Sequence, residues 1–232
     1  MQEPELAQKA QAVLEENWTG SFTCPAQGLY PHQWSWDSAF ISFAYAHFNP
    51  ERAEQELFSL FRGQWNNGLL PHIVFHNKSA KYAPGPEFWQ SERSSTAPKG
   101  LSTSGIVQPP IHASAALHIY KKAPNKKQAR GFLKKIFPKL SAWHTYLYKE
   151  RDPHNEGLVY IRHPWESGQD NSPIWDSALK RIKLQDSDIP SYKRTDLQYV
   201  EADYRPTDES YDRYVYLVKL FCKLNYDEKE IF

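Results

Sequence analysis

Cysteine is scarce in this chain: 232 residues carry only Cys24 and Cys222. Two thiols so far apart form neither a metal-ligand pair nor a disulfide framework, and they read as reduced cysteines of a cytosolic protein. No run of about 18 apolar residues exists, which excludes a membrane-spanning helix. The opening Met1-Gln2-Glu3-Pro4-Glu5 lacks the basic and apolar regions of a signal peptide, so the expected location is cytoplasmic. Neither sign of charge is in excess: Lys+Arg 28 stand against Asp+Glu 27, net +1. That balance argues against a nucleic-acid binder, which needs a basic field to displace counterions. Missing too are a Gly-x-Gly-x-x-Gly turn, a Walker-type loop and a regular alternation of strands and helices, so nucleotide-binding α/β folds are excluded.

Aromatics, in contrast, are plentiful: 8 Trp, 14 Tyr and 12 Phe. Large flat rings with a polar edge suit a polar, ring-shaped ligand. Residues 3–17 read as an amphipathic helix with Pro4 in its first turn and Leu6, Ala10, Val13 and Leu14 on one face. A turn-rich stretch, 19–33, leads to a helix over 36–48 that is apolar nearly all round and therefore expected to be buried on most sides. Asn49-Pro50 ends it and starts a third helix to about Arg62, with Leu57, Leu60 and Phe61 facing the core. Periodicity disappears over 63–105, a stretch long enough to be a functional loop.

Helices resume over 109–121 and 126–150, the second with a kink expected at Pro138. Ten Lys or Arg between 121 and 151 read as a solvated helical surface rather than an anionic docking face. A turn at 152–157 precedes a short strand, expected near 158–162. The last amphipathic helix, 207–224, has Thr207 as N-cap with Asp208 and Glu209 behind it. Residues 227–232 look like the opening turn of another helix. Helices joined alternately by short turns and long aromatic loops predict an all-α fold, an α/α toroid that binds its ligand where the long loops gather.

The stretch with most chemistry is His163-Pro164-Trp165-Glu166-Ser167-Gly168-Gln169-Asp170-Asn171-Ser172-Pro173-Ile174-Trp175-Asp176, with three carboxylates and two Trp. Gly168 lets the backbone turn sharply so that neighbouring side chains converge. Glycoside hydrolysis needs a carboxylic acid poised over the leaving oxygen, and burial beside indoles favours the protonated form. Glu166 and Asp170 are four apart, and composition does not say which would be the acid. Acids that merely cap helices and bind backbone amides are the other reading. His72 and His76 offer two imidazoles four apart, but no helical pattern and no third ligand accompany them, so a metal site is not expected.

Trp165-Glu166-Ser167-Gly168-x-Asp170-Asn171-Ser172-Pro173-x-Trp175-Asp176 resembles the acid loop of glycoside hydrolase family 63 and its trehalase relatives. Tyr30-Pro31-His32-Gln33-Trp34-Ser35-Trp36-Asp37 resembles that clan's Trp-Asp sugar-subsite motif. Gly68-Leu69-Leu70-Pro71-His72 and Ser104-Gly105-Ile106-Val107-Gln108-Pro109-Pro110 follow the same pattern. Together the four are most similar to the compact bacterial branch of mannosylglycerate and glucosylglycerate hydrolases. The resemblance implies an incomplete six-hairpin toroid and inverting hydrolysis of a small α-glycoside, with no cofactor and no metal. It implies Asp170 as general acid and Tyr30, Trp34, Trp36, Asp37, His72, Gln108, Trp165 and Glu166 around the substrate. A glycerate carboxylate would need a cation and hydroxyl donors, for which Tyr82 and Arg205 are the candidates. On the residues alone, Trp36 could equally be a core aromatic, and Asp37 and Gln108 could serve the helix starts beside them.

The family's catalytic base is a Glu far downstream, and neither Glu201 nor Glu209 sits in a matching context. The 232 residues are therefore expected to be the N-terminal part of one catalytic domain, inactive alone. The base would come from a C-terminal companion segment or chain that completes the toroid. A trehalase or α-glucosidase-type hydrolase, a sugar epimerase on a similar toroid and a non-enzymatic carbohydrate-binding remnant are the competing expectations.

Overall fold

The computed structural model describes residues 3–76 and 82–231. In chain order the elements are α1 (Glu3–Glu16), β1 (Gln33–Trp34), α2 (Ser35–Tyr45), α3 (Pro50–Phe61), β2 (Ile73–Phe75), α4 (Pro86–Trp89) and β3 (Ser102–Thr103). They continue with α5 (His112–Lys122), α6 (Lys126–Glu150), α7 (Asp176–Leu179), α8 (Asp208–Lys223) and α9 (Glu228–Ile231). The helices pack as α2 on α3 and α5 on α6, with α2 also against α5. Short links, residues 46–49 and 123–125, close those hairpins, whereas 62–111 and 151–207 are long. This is the incomplete α/α toroid expected, with one tight edge and one loop-rich edge.

Local chemistry explains the helix starts. The Asn49 side chain accepts a hydrogen bond from Arg52 N with Pro50 in the first turn. Asn125 accepts from Lys127 N and Gln128 N, and Thr207 from Ser210 N. Each such cap contributes about 1 kcal/mol by satisfying an otherwise orphan amide. Behind the caps, Ala53, Leu57, Leu60 and Phe61 of α3 are wholly buried beside Ile136 and Trp143 of α6. Pro138 lies inside α6, whose span is unbroken.

Several expectations are corrected. The α1 face proves open: Leu6 and Val13 are more than half exposed, and only Leu14 packs against the core. The helix is tied down through its last turn, by Tyr45 Oη donating to Leu14 O and by the Glu15–Arg52 ion pair. The expectation for α2 holds: it is buried or partly buried on every side but that of Phe40. Its small residues Ser38, Ala39 and Ser42 face the core, allowing close approach to α3, while Phe40 is half exposed. Residues 158–162 form no strand: Tyr160 N donates to Arg151 O and Arg162 N to Glu166 Oε2, bonds to a loop carbonyl and a side chain rather than to a strand, and Leu158, Val159 and Ile161 are exposed.

The β structure lies elsewhere, as an antiparallel sheet ordered β1-β2-β3 with Trp34 opposite Ile73 and Val74 opposite both Gln33 and Thr103. Of the ten basic residues between 121 and 151, nine are exposed and Arg151 is buried. Residues 77–81 of the long loop, and Phe232 beyond α9, lie outside the described residues. No helix among the described residues is long and apolar enough to cross a membrane. Cys24 and Cys222 are both buried free thiols.

Candidate active site

The sheet and the start of α2 build one wall. Trp34 ends β1, and α2 begins one residue later, so Trp36 and Asp37 stand in its first turn. Ser35 N donates to His72 O, and His72 N donates to Ile106 O, which draws three distant segments together. Gln108 then reaches back: its Oε1 accepts from Trp36 N at 3.1 Å, so the amide nitrogen is the end left for a ligand. Gln108 thus serves the start of α2 and not that of α5 beside it, whose N-cap Ile111 makes no side-chain cap bond.

The opposite segments converge on the loop after α6. His163 donates from Nε2 to Tyr214 O and accepts at Nδ1 from Trp165 N, which pins the loop to α8 as a neutral imidazole. Tyr214 Oη donates to Asp170 O, and the Asn171 amide donates to Tyr204 O, next to Arg205. Gly168 adopts φ +68°, and a Cβ there would lie 2.4 Å from the Trp36 ring. Only a glycine lets the acid loop pass this close to that indole.

Between these walls lies a cavity of about 220 Å³, lined by Tyr30, Trp34, Trp36, Asp37, His72, Tyr82, Gln108, Trp165, Gly168, Asp170, Arg205 and Tyr211. Ten of the eleven residues singled out from sequence are there. Trp34 packs edge-on to Tyr30 and Tyr82, each with ring centroids 5.0 Å away, and Trp165 stacks on His72. Arg205 donates to Tyr30 Oη at 3.3 Å and to Asp196 Oδ2 at 2.8 Å, which holds a guanidinium at the cavity wall.

Glu166 is the exception. Its carboxylate is buried behind the cavity, where it takes Arg151 Nη2 at 2.8 Å, Arg151 Nη1 at 3.0 Å, Arg162 N at 2.9 Å and Val107 N at 3.2 Å. With its oxygens so occupied it is not among the residues that line the cavity. The carboxyl of Asp170 differs: half-buried at the cavity, it accepts from no side chain or amide among the described residues. Geometry thus separates the two carboxylates that spacing left equivalent.

Electrostatics divide the groups further. Burial would push the Glu166 carboxyl up, but Arg151 overrules it and holds the group down at about 2. Burial pushes Asp37 up to about 6, partly offset by hydrogen bonds from its own backbone and the Trp36 side chain. His72 is pushed down to about 3 by burial, with His163 adding to the effect, so its imidazole is neutral at physiological pH. Burial opposes the charge of Arg205, yet Asp196 more than offsets it and the guanidinium is held above its ordinary range. A fixed cation, a carboxyl without side-chain or amide donors among the described residues, amide and imidazole groups and ring faces together suit a sugar joined to a small acid. His76, the second imidazole of the pair four apart, instead bonds Gln33 Oε1 at 2.7 Å.

Tyr211 is the lining residue that sequence reading missed. It sits on the buried face of α8 with Tyr214, Val215 and Val218, so its spacing reads as core. The supports His163 and Arg151 were missed for the same reason: what they do depends on partners distant in sequence.

Comparison with known proteins gives consistent findings. The family model described as the mannosylglycerate hydrolase MGH1-like glycoside hydrolase domain matches residues 30–232. A mannosylglycerate hydrolase of Rubrobacter radiotolerans is 54% identical over 227 residues, covering 98% of this chain and 51% of that protein. A glucosylglycerate hydrolase of Mycolicibacterium hassiacum is 39% identical, over 98% of this chain and 52% of that protein. The crystal structure of the family 63 mannosylglycerate hydrolase from Thermus thermophilus with Tris and D-glycerate superposes with a TM-score of 0.90. It is 48% identical and covers 97% of this chain and 52% of that one. The chain spans about half the length of these relatives.

Proposed function

We propose, since this chain belongs to the mannosylglycerate hydrolase MGH1-like glycoside hydrolase family, that it forms the N-terminal part of one toroidal catalytic domain that hydrolyses mannosylglycerate or glucosylglycerate. Asp170 protonates the glycosidic oxygen as the C–O bond breaks. A second carboxylate, supplied from outside these 232 residues, takes the proton of a water attacking the opposite face, which inverts the anomeric centre. Trp36 and Trp165 stack on the sugar, and Asp37 accepts from its hydroxyls. Arg205 pairs with the glycerate carboxylate, with Tyr30, Tyr82 and Gln108 as hydrogen-bond donors beside it. His72, neutral, contributes a further polar contact.

The observation that carries this reading is the cavity in which Asp170 and Arg205 stand among Trp34, Trp36 and Trp165. D-Glycerate bound to the Thermus thermophilus relative supports the aglycone assignment. A companion segment completing the toroid would cover the open faces of α1 and α2, and the chain alone would bind without turning over. The buried thiols fit a cytosolic setting.

Calorimetry with mannosylglycerate, glucosylglycerate and trehalose, run beside an assay for released sugar, tests the proposal. Saturable binding of the glycerates, weaker binding of trehalose and full retention of binding by Asp170→Asn are expected. Tighter binding of trehalose would shift the reading to a trehalase-type hydrolase, and no binding of any glycoside would refute it. In a complete enzyme Asp170→Asn abolishes turnover; survival of activity would reject the acid assignment. If the complete enzyme binds glycosides but releases no sugar, a carbohydrate-binding remnant is the correct reading.

A further inference from the structure

We propose that Glu166, acting through its fork with Arg151, is a positioning residue that holds the Asp170 loop against the Gln108 segment. The inference rests on the functional reading above and concerns a residue that touches no ligand. Three segments meet at this one carboxylate: the end of α6 through Arg151, the acid loop through Arg162 N, and the segment before Gln108 through Val107 N. Gln108 in turn holds Trp36 N. A continuous line of hydrogen bonds therefore runs from the loop of the acid to the base of the sugar wall. Removing either end lets Gln108 and Asp170 move independently.

The surroundings show why an ion pair is used. Arg151 and Arg162 face Glu166 and Glu228, two charges of each sign, all with nearly inaccessible side chains. Tyr146 Oη donates to Glu228 and accepts from Arg151 Nε. A neutral glutamine at 166 would offer one acceptor oxygen in place of two and leave two guanidinium groups facing one carboxylate. Breaking one partner of such a pair is far more disruptive than replacing both. A geometry error near 1 Å at reacting groups is costly in turn.

The test separates folding from positioning with two variants of this chain, Glu166→Gln and Glu166→Gln/Arg151→Met. Three readouts are taken: melting temperature, amide exchange over 105–110 and 163–172, and calorimetric affinity for mannosylglycerate. The single variant is expected to melt far lower. The double variant, with its charge balance restored, is expected to melt within about 5 °C of the parent. In it, exchange over both segments nonetheless rises about tenfold or more while α2 and α3 keep their protection, and affinity falls about tenfold. Parental exchange and affinity in the double variant would overturn the inference. So would protection lost equally across α2 and α3, which marks a purely structural pair. If the parent binds no glycoside, the functional reading fails, while the exchange comparison still decides the role of Glu166.

Discussion

Gly168→Ala tests the closest approach in the cavity wall. Two costs arise from one methyl group. The backbone at φ +68° is left-handed, a conformation that costs an L-residue about 1 kcal/mol. The new Cβ would also stand 2.4 Å from Cη2, 2.6 Å from Cζ2 and 2.9 Å from Cζ3 of Trp36. Carbon contacts become ordinary at about 3.5 Å, so ring or loop must shift by about 1 Å. Trp36 has little freedom: Gln108 holds its backbone, and Phe40 packs against its ring with centroids 5.7 Å apart. Overpacking of this kind costs about 1–3 kcal/mol, which gives about 2–4 kcal/mol in total. For a domain of this size the melting temperature should fall by about 5–15 °C. Differential scanning calorimetry reads that change, and titration with mannosylglycerate reads an affinity at least about tenfold weaker, because the displaced indole is a cavity wall. A variant that melts within about 2 °C of the parent and binds equally well would refute the close approach itself.

A matched control is Gly131→Ala in α6, where an added Cβ meets nothing within 4 Å; helix propensity alone should raise stability by about 0.5–1 kcal/mol, and a lower melting temperature would contradict that. Arg205→Lys keeps a cation but loses the fork shared with Tyr30 and Asp196, so affinity for D-glycerate should fall about tenfold by calorimetry; unchanged affinity would remove Arg205 from the carboxylate subsite. Acid should unfold the chain early. Burial pushes His32, His76, His112 and His163 down to about 4 and His72 to about 3, so their stabilising neutral form is fully present above pH 6.5 and is lost as pH falls through the folded values. Burial has the opposite effect on Glu56, raised to about 7, and Asp37, raised to about 6, which favour the folded state as pH falls from those values. The five histidines outnumber the two acids, so unfolding near pH 5.5 should take up about three protons, a loss of about 4 kcal/mol per pH unit. Urea titrations from pH 7 to 5 measure that slope, and a flat or inverted slope would refute the burial assignments.

Legibility in the sequence follows how local each determinant is. The starts of α3 and α8 could be read directly because Asn49 and Thr207 cap amides within three residues of themselves. The lining residues could be read because motif residues on four separate segments end at one cavity. The sheet could not: strands of two and three residues show no period, and their pairing joins residues about 30 to 40 positions apart. The α1 face misled because an apolar stripe records that a helix has a buried side without saying what lies against it. At 158–162 the β-forming residues are present but no strand edge is, and propensity without a partner makes no strand.

The two carboxylates of the acid loop show what the fold adds to the spacing. Four residues apart in one loop, they carry the same functional group. Glu166 receives hydrogen bonds from Arg151, Arg162 N and Val107 N, which stabilise its charged form and leave it no proton to give near neutrality. Asp170 is held only through its backbone carbonyl, by Tyr214, and its carboxyl receives none of those donors among the described residues. A proton donor in hydrolysis must have an oxygen free to approach a leaving group. Donor placement alone therefore assigns the structural role to one acid and leaves the other available for chemistry. The same placement makes the pair interdependent, because the loop that carries Asp170 stays in register only while Glu166 remains charged and engaged.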